Sequence, residues 1–238
     1  MKDSSVLTYH SSLIIVIALL LAHVDFCMCQ EELRILSPTA QAMERAGYVN
    51  VATAVPDIHI SLMYARADNF TGRVLYKDLR EAYLHPRAAK ALAKAQQLLK
   101  AKRPDLSLKV YDAARPMHIQ QQMWNVVKGT AQQNYVSNPR NGGGLHNYGM
   151  AVDITLCNAA TGDTIPMGTL VDHLGAAAHT DAEADLVRRR IITRQALENR
   201  RLLREVMHGA GFTVLRTEWW HFNLITRAEA RRTLKPIP

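Results

Sequence analysis

Three short segments of the chain alternate apolar and polar residues, and this pattern limits the folds open to it. The segments are residues 106–110, 150–156 and 220–224. A period of two is typical of strands, because successive side chains in a strand point to opposite faces of the sheet. We therefore expect three strands, the first of them half-buried.

Three longer segments carry apolar residues at helical spacing. They cover residues 86–103, 116–127 and 183–208. In the second, we expect Ile119, Met123, Val126 and Val127 to face inward. Because these helices and strands follow one another without a regular strand–helix–strand rhythm, an α+β fold is favoured over a doubly wound sheet.

The composition fits one globular domain and leaves several classes of partner open. The chain has 238 residues, 48% of them hydrophobic, which is enough to bury a core. Its 29 Lys and Arg against 21 Asp and Glu give a formal net charge of +8, which could serve nucleic acid, an anionic surface or only solubility. The arginine-rich stretch 188–204 lacks the interleaved aromatic residues of a nucleic-acid site. We expect a solvated helix face there and no nucleic-acid partner.

The first 29 residues have the features of a secretory signal peptide. Leu13 to Ala22 form an unbroken apolar run, well short of the ~20 residues that span a bilayer as a helix. Small residues at Cys27 and Cys29 suit cleavage before Gln30. We expect residues 1–29 to be removed and residues 30–238 to form an exported domain, periplasmic or secreted, without stable membrane insertion. A membrane anchor or a buried strand stays open as an alternative, and a poor lipobox disfavours lipoprotein anchoring.

Loss of that leader would leave Cys157 as the last of three cysteines. One cysteine forms no intramolecular disulfide, so the exported domain must be held together by its core. Cys157 follows the apolar alternation of the second strand. We expect a buried side chain at a strand end rather than a nucleophile.

The first group of candidate metal ligands lies between residues 146 and 153. His146 and Asp153 are both competent zinc ligands. If the seven-residue step were fully extended, it would separate them by roughly 23 Å. A shared metal therefore requires a bend, and Gly149 is placed to supply it. The spacing alone leaves an ordinary loop with a solvated aspartate equally open.

The second group lies around two tryptophans. Glu218 and His221 are three residues apart, and strand alternation places Trp220 and Phe222 inward with His221 on the other face. Glu218 would share the face of Trp220 unless the strand twists or bulges near Trp219. Taken alone, a histidine beside aromatic residues is more often structural.

Together the two groups supply three candidate ligands, His146, Asp153 and His221, with an open fourth position. This is the pattern of a catalytic rather than a structural zinc site. Glu218 is then the remaining carboxylate, suited to accept a proton from water at the metal.

Two motifs also carry a family resemblance: His146-x-x-Gly149-x-Ala151-x-Asp153 and Glu218-Trp-Trp-His221. They resemble those of the D-alanyl-D-alanine dipeptidases, the VanX-like branch of the zinc D-Ala-D-Ala metallopeptidases. Further similar segments follow in the same order, at residues 64–72, 115–116, 166–168 and 198–204. The resemblance implies a single α+β domain, with a small, mainly antiparallel sheet that carries the zinc site between flanking helices, as in the D-Ala-D-Ala metallopeptidase or Hedgehog-like fold.

The resemblance also implies roles for individual residues. His146, Asp153 and His221 would bind one Zn²⁺ per chain, Glu218 would be the general acid/base, and Arg115 would stabilise the transition-state oxyanion. The additional residues expected to contact substrate are Asp112, Phe70 and Tyr148. From the residues alone, Arg115 could equally form a helix-corner salt bridge with Asp112.

Three features depart from the family pattern. Gly144 stands where relatives usually have serine, which puts one hydroxyl contact to the dipeptide in doubt, and Ala114 stands where a larger aromatic residue is usual. The third departure is the leader, since the resistance-type enzymes act in the cytoplasm. An exported enzyme would instead meet dipeptides released from the cell wall.

The function predicted is zinc-dependent hydrolysis of the small dipeptide D-alanyl-D-alanine to two D-alanines, in cell-wall peptide turnover. One alternative is a D,D-carboxypeptidase or endopeptidase that trims longer peptidoglycan stem peptides with the same metal centre. Another is a peptidoglycan-binding module without catalysis, which would have no use for Glu218.

Overall fold

A computed structural model describes residues 36–238, so the predicted signal peptide, residues 1–29, lies outside the described residues. The strands are β1 (Val49–Asn50), β2 (His59–Ile60), β3 (Tyr83–Leu84), β4 (Leu106–Asp112), β5 (Ala151–Asn158), β6 (Thr213–Leu215) and β7 (Glu218–Asn223). The helices are α1 (Pro38–Arg45), α2 (Val51–Ala54), α3 (Pro86–Lys102), α4 (Met117–Val127), α5 (Glu183–Arg188), α6 (Arg194–Gly209) and α7 (Arg227–Thr233). Ser37–Pro238 form one compact unit.

The main sheet has five strands in the order β2-β4-β5-β7-β6. The β2–β4 pair is parallel and the other three pairs are antiparallel. β1 and β3 form a separate antiparallel pair. The α+β class with a small, mainly antiparallel sheet is therefore confirmed.

The central strand of this sheet is buried on both faces. Every residue of β5 from Ala151 to Cys157 is buried, and helices α3 and α6 pack against each other and against the sheet. β4 is also more buried than a half-buried strand, because its polar residue Ser107 donates to the carbonyl oxygen of Asp57 at 2.6 Å. Cys157 lies near the end of β5 with no exposed surface, as expected. Burial raises the pKa of its thiol to about 11, which does not suit a nucleophile.

Two details of the predicted helices are wrong. The segment 183–208 is two helices, α5 and α6, because Arg190 has a left-handed φ of 57° and the Thr193 hydroxyl caps the start of α6. Val126 is 39% exposed rather than inward. The buried face of α4 is rotated towards Gln120, whose side chain is buried because it has two hydrogen-bond partners.

Within residues 36–238, no helix combines the length and the apolar character needed to cross a bilayer.

Candidate active site

The three candidate ligands come from two neighbouring strands and one turn. Asp153 on β5 is the direct cross-strand partner of His221 on β7. His146 lies in the 3₁₀ turn Leu145–Tyr148 that leads into β5. The bend expected at Gly149 is present, with a φ of 64°, and it folds the turn back so that His146 faces the strand pair.

The donor atoms of these residues face one another at short range. His146 Nε2 lies 3.1 Å from His221 Nδ1 and 3.3 Å from Asp153 Oδ2, and His221 Nδ1 lies 2.9 Å from Asp153 Oδ1. Tetrahedral zinc with bonds of 2.0–2.1 Å places its donors about 3.3 Å apart. The spacing of the three side chains therefore fits one zinc ion.

Each imidazole is held so that its metal-facing nitrogen has a free lone pair. His146 Nδ1 lies 2.7 Å from the carbonyl oxygen of Ala113, and His221 Nε2 lies 2.9 Å from Asn223 Oδ1. Both partners are acceptors, so each of these nitrogens carries the proton. Such hydrogen bonds set the tautomer and the ring orientation of metal ligands. The donor chemistry fits zinc as well as the spacing does.

Asp153 is held ionised, as a metal ligand must be. It is 4% exposed, and burial by itself favours the neutral acid. When the metal is absent and the imidazoles of His146 and His221 are protonated, their charges and hydrogen bonds outweigh that penalty and lower the pKa of the carboxyl well below its usual range.

Glu218 reaches the same cavity because β7 does not keep a regular register. The pairing of β6 with β7 shifts between Val214 and Leu215, an irregularity of the kind that the sequence required near Trp219. Trp220 and Phe222 point inward, as expected, and Glu218 and His221 both line the cavity. Burial raises the pKa of Glu218 to about 7, with the charges of Asp153 and Asp172 adding to the effect. A carboxyl with that pKa can both accept and donate a proton near neutral pH.

The sequence left Arg115 open to two interpretations, a salt bridge with Asp112 or a cation of the active site, and the structure shows both contacts. Its guanidinium donates to Asp112 Oδ2 through Nε at 2.9 Å and through Nη2 at 2.5 Å, so the salt bridge is present. It also lines the cavity, and Nη2 lies 3.7 Å from Asp153 Oδ2. Asp112 therefore fixes the direction of a cation that faces the metal ligands.

These groups surround one cavity of about 740 Å³. Of the three additional residues expected to contact substrate, Phe70 lines the cavity, whereas Asp112 and Tyr148 are not among its lining residues. Asp112 has no exposed surface and also accepts from the Tyr76 hydroxyl at 2.5 Å. The Tyr148 hydroxyl donates to the carbonyl oxygen of Gly142.

The cavity also contains Asp172, a carboxylate that no pattern in the sequence indicated. Asp172 accepts hydrogen bonds from the amide of Phe70 at 3.1 Å and from the hydroxyl of Tyr64 at 3.0 Å. Burial raises its pKa to about 6 even though those donors favour the charged form. The backbone of Asp172 has a left-handed φ of 70°, which is unusual for a residue other than glycine. No local sequence motif predicts this conformation.

The amino-acid sequence of the chain is similar to those of a known protein family. Residues 44–237 match the sequence model of a peptidase family described as D-ala-D-ala dipeptidase. A D-alanyl-D-alanine dipeptidase of Escherichia coli K12 is 35% identical over 176 residues, which cover 74% of this chain and 83% of the relative. Proteins with the same name from Enterococcus faecium and Streptomyces coelicolor are 28% and 30% identical. They match 75% and 71% of this chain, and 91% and 87% of their own lengths.

The family match spans most of the chain and includes every residue of the metal-binding group and Glu218. The chain is therefore a metallopeptidase that belongs to the D-Ala-D-Ala dipeptidase family, Peptidase_M15.

Proposed function

We propose that this protein hydrolyses the dipeptide D-alanyl-D-alanine to two D-alanines in a zinc-dependent reaction. One observation carries the proposal: a single cavity brings the three metal-donor side chains together with Glu218, Arg115 and Asp172. A metal site, a proton carrier and side chains of both charges in one cavity suit the cleavage of a short peptide that is charged at both ends. The names of the relatives supply the D-alanyl-D-alanine substrate.

His146, Asp153 and His221 would hold one Zn²⁺ per chain. When bound, zinc polarises the scissile carbonyl and acidifies water at neutral pH. The chain supplies a preset geometry for it, since hydrogen bonds to Ala113 and Asn223 already orient both imidazoles.

Glu218 and Arg115 would carry the proton and the developing charge. The Glu218 carboxylate takes a proton from the attacking water and passes it to the leaving amine nitrogen as the C–N bond breaks. Arg115, held by Asp112, presents a fixed positive charge to the oxyanion that forms on the carbonyl oxygen.

Asp172 would pair with the free amino end of the dipeptide. Two cavity carboxylates, Asp172 and Glu229, neither join the metal donors nor serve as the proton carrier. Glu229 is paired with Arg87, whereas the two protein donors of Asp172 leave acceptor capacity on its carboxylate. Phe70 and Tyr64 lie beside it in the cavity wall and exclude water around the substrate.

In the cell, the enzyme would act in the turnover of cell-wall peptides after export. This part of the proposal rests on the leader-like residues 1–29 and on the dipeptide substrate. Mass spectrometry of the protein recovered from its native host would test it, with a mature amino terminus at Gln30 expected and an intact Met1 contradicting export by cleavage.

The decisive experiment compares free and blocked substrates. Zinc-loaded protein is expected to release D-alanine from D-Ala-D-Ala and to stop with Glu218→Gln. Equal or faster cleavage of an N-acylated D-Ala-D-Ala tripeptide would favour the carboxypeptidase or endopeptidase alternative. If neither substrate is cleaved, the binding-module alternative is favoured.

A further inference from the structure

The carboxyl end of the substrate requires a positive partner, and Arg115 is already engaged. Among the described residues that line the cavity, two carry a fixed positive charge, Arg115 and Arg227. Arg115 is held by two hydrogen bonds from its guanidinium to Asp112, and the proposed function assigns its charge to the oxyanion. Arg227 forms no ion pair within residues 36–238, and its Nη2 donates instead to the hydroxyl of Ser137 at 2.6 Å.

Ser137 occupies space that is free because residue 144 is glycine. A Cβ built on Gly144 would lie 2.9 Å from Ser137 Oγ and 3.3 Å from Ser137 Cβ. The backbone of Gly144 is extended, with a φ of −105°, so any residue could adopt its conformation. The contact with Ser137, rather than the backbone, is therefore what a side chain at position 144 would disturb.

A chain of hydrogen bonds joins Ser137 to the catalytic side of the cavity. Arg115 Nη1 donates to Gln120 Oε1 at 2.9 Å, and Gln120 Nε2 donates to the carbonyl oxygen of Ser137 at 2.8 Å. Arg115, Gln120, Ser137 and Arg227 all line the cavity. These four residues form one wall of the cavity. Arg115, the proposed oxyanion stabiliser, lies at one end of the hydrogen-bonded chain, and the Ser137 hydroxyl with Arg227 beside it lies at the other.

We propose that Arg227 and Ser137 form the subsite for the terminal carboxylate of the substrate. The inference rests on the proposed function and deepens it. In a dipeptide the terminal carboxylate is one residue beyond the scissile carbonyl, and Ser137 and Arg227 line the same cavity as Arg115, to which Ser137 is linked through the side chain of Gln120. A guanidinium and a hydroxyl together satisfy a carboxylate by charge and by hydrogen bonding. Such a subsite serves an enzyme that acts at a free carboxyl end and has no use in an endopeptidase.

The test compares D-Ala-D-Ala with D-alanyl-D-alaninamide, which lacks the terminal charge. Arg227→Gln is expected to raise KM for D-Ala-D-Ala about tenfold, and Ser137→Ala about threefold, with little change in kcat. Arg227→Gln should leave KM for the amide nearly unchanged, because the amide lacks the charge that Arg227 pairs with. Arg232→Gln is the matched control, because Arg232 lies on the same short helix and is not a cavity-lining residue.

Moving the hydroxyl provides a second, independent check. Gly144→Ser alone should weaken binding, because its Cβ meets Ser137 Oγ. The double variant Ser137→Gly with Gly144→Ser removes that contact and restores a hydroxyl at the same place in the wall. We expect it to recover most of the affinity lost in Ser137→Gly.

Binding is measured separately from turnover by calorimetric titration of the zinc-loaded Glu218→Gln variant with each ligand. The proposal is overturned if Arg227→Gln and Arg232→Gln bind D-Ala-D-Ala equally well, or if Arg227→Gln weakens the amide as much as the acid. Either result leaves the proposed function intact when the wild-type protein still cleaves D-Ala-D-Ala. Absence of wild-type turnover would instead count against the proposed function.

Discussion

Asp153 and His221 are direct partners in the antiparallel pairing of β5 with β7, and their side chains meet at 2.9 Å between Oδ1 and Nδ1. These two candidate metal donors lie on adjacent paired strands and are held in place by the hydrogen bonds of the β-ladder. The third donor, His146, comes from the turn before β5 and is placed by the bend at Gly149. The metal-binding group thus joins two rigid strands and one tightly packed turn.

The hydrogen bond behind His221 is expected to control metal affinity. Asn223→Ala removes the acceptor that holds the proton on His221 Nε2, at 2.9 Å, and frees the ring to rotate. Loss of such a partner typically lowers metal affinity by about 10–100-fold. Competition with a chromophoric zinc chelator measures the change, and Asn223→Asp, which keeps an acceptor, should restore most of it. Unchanged zinc affinity in Asn223→Ala would show that this bond does not orient the ligand.

Glu218 is expected to make the stability of the metal-free protein depend on pH. Its pKa rises from 4.5 to about 7 in the folded chain. Between these values the folded state therefore binds a proton that the unfolded state has lost. Stability from this group is present below pH 4.5 and falls as the pH rises towards 7. Glu218→Gln should remove that loss, gaining roughly 3 kcal/mol at most over wild type at pH 8 relative to pH 4.

Urea unfolding of the zinc-free proteins at a series of pH values measures this difference. The exposed Glu198→Gln on α6 is the matched control, and its stability relative to wild type should stay flat. A flat profile for Glu218→Gln as well would contradict the burial of the Glu218 charge.

Arg200 is expected to position the loop that carries Asp172. It is 1% exposed, and it donates through Nε to the carbonyl oxygen of Met167 at 2.7 Å and through Nη2 to that of Ala177 at 3.0 Å. Arg200→Lys keeps the charge but cannot span both ends of the loop. We expect about a tenfold higher KM for D-Ala-D-Ala and a loss of roughly 1–3 kcal/mol of stability.

A double-mutant cycle separates positioning from a general loss of structure. If Arg200 acts through Asp172, then Arg200→Lys should have little effect on KM in a protein that already carries Asp172→Asn. Hydrogen exchange should also increase in residues 167–177. Arg201→Lys, on the exposed face of α6, is the control and should change neither quantity. Additive effects on KM would argue against the positioning role.

Gly149 is expected to tolerate no side chain. A Cβ there would lie 2.5 Å from Tyr48 Cε1 and 2.8 Å from the backbone nitrogen of His85, in addition to the cost of its positive φ. Gly149→Ala should therefore lose roughly 2–5 kcal/mol, from about 1–2 for the backbone and 1–3 for overpacking. Gly47→Ala isolates the backbone part, since Gly47 has a φ of 82° and nothing within 4 Å of the added Cβ. Thermal unfolding compares the two, and equal losses would contradict the close packing around Gly149.

The three longest strands, the helices α3 and α4, and the candidate metal donors could be predicted from the sequence, because they depend on short-range patterns. Alternation located β4, β5 and β7, and the motifs around His146 and Glu218 indicated the candidate metal donors and the candidate base that line one cavity in the structure. The bend at Gly149 followed from the need to bring His146 and Asp153 to one metal. These inferences require only the periodicity of the strand and the chemistry of a few side chains.

Only the tertiary structure decided the rest of the cavity. Asp172, Ser137 and Arg227 lie in segments far apart in the chain and carry no local motif. The proximity of Ser137 to Gly144 arises from packing between two loops. The sequence also left two roles open for Arg115, a salt bridge with Asp112 or a place in the active site. The structure shows that its guanidinium both donates to Asp112 and lines the cavity. Local sequence determines which chemistry is available, but long-range packing determines which groups share one buried space and where a substrate's charged ends can lie.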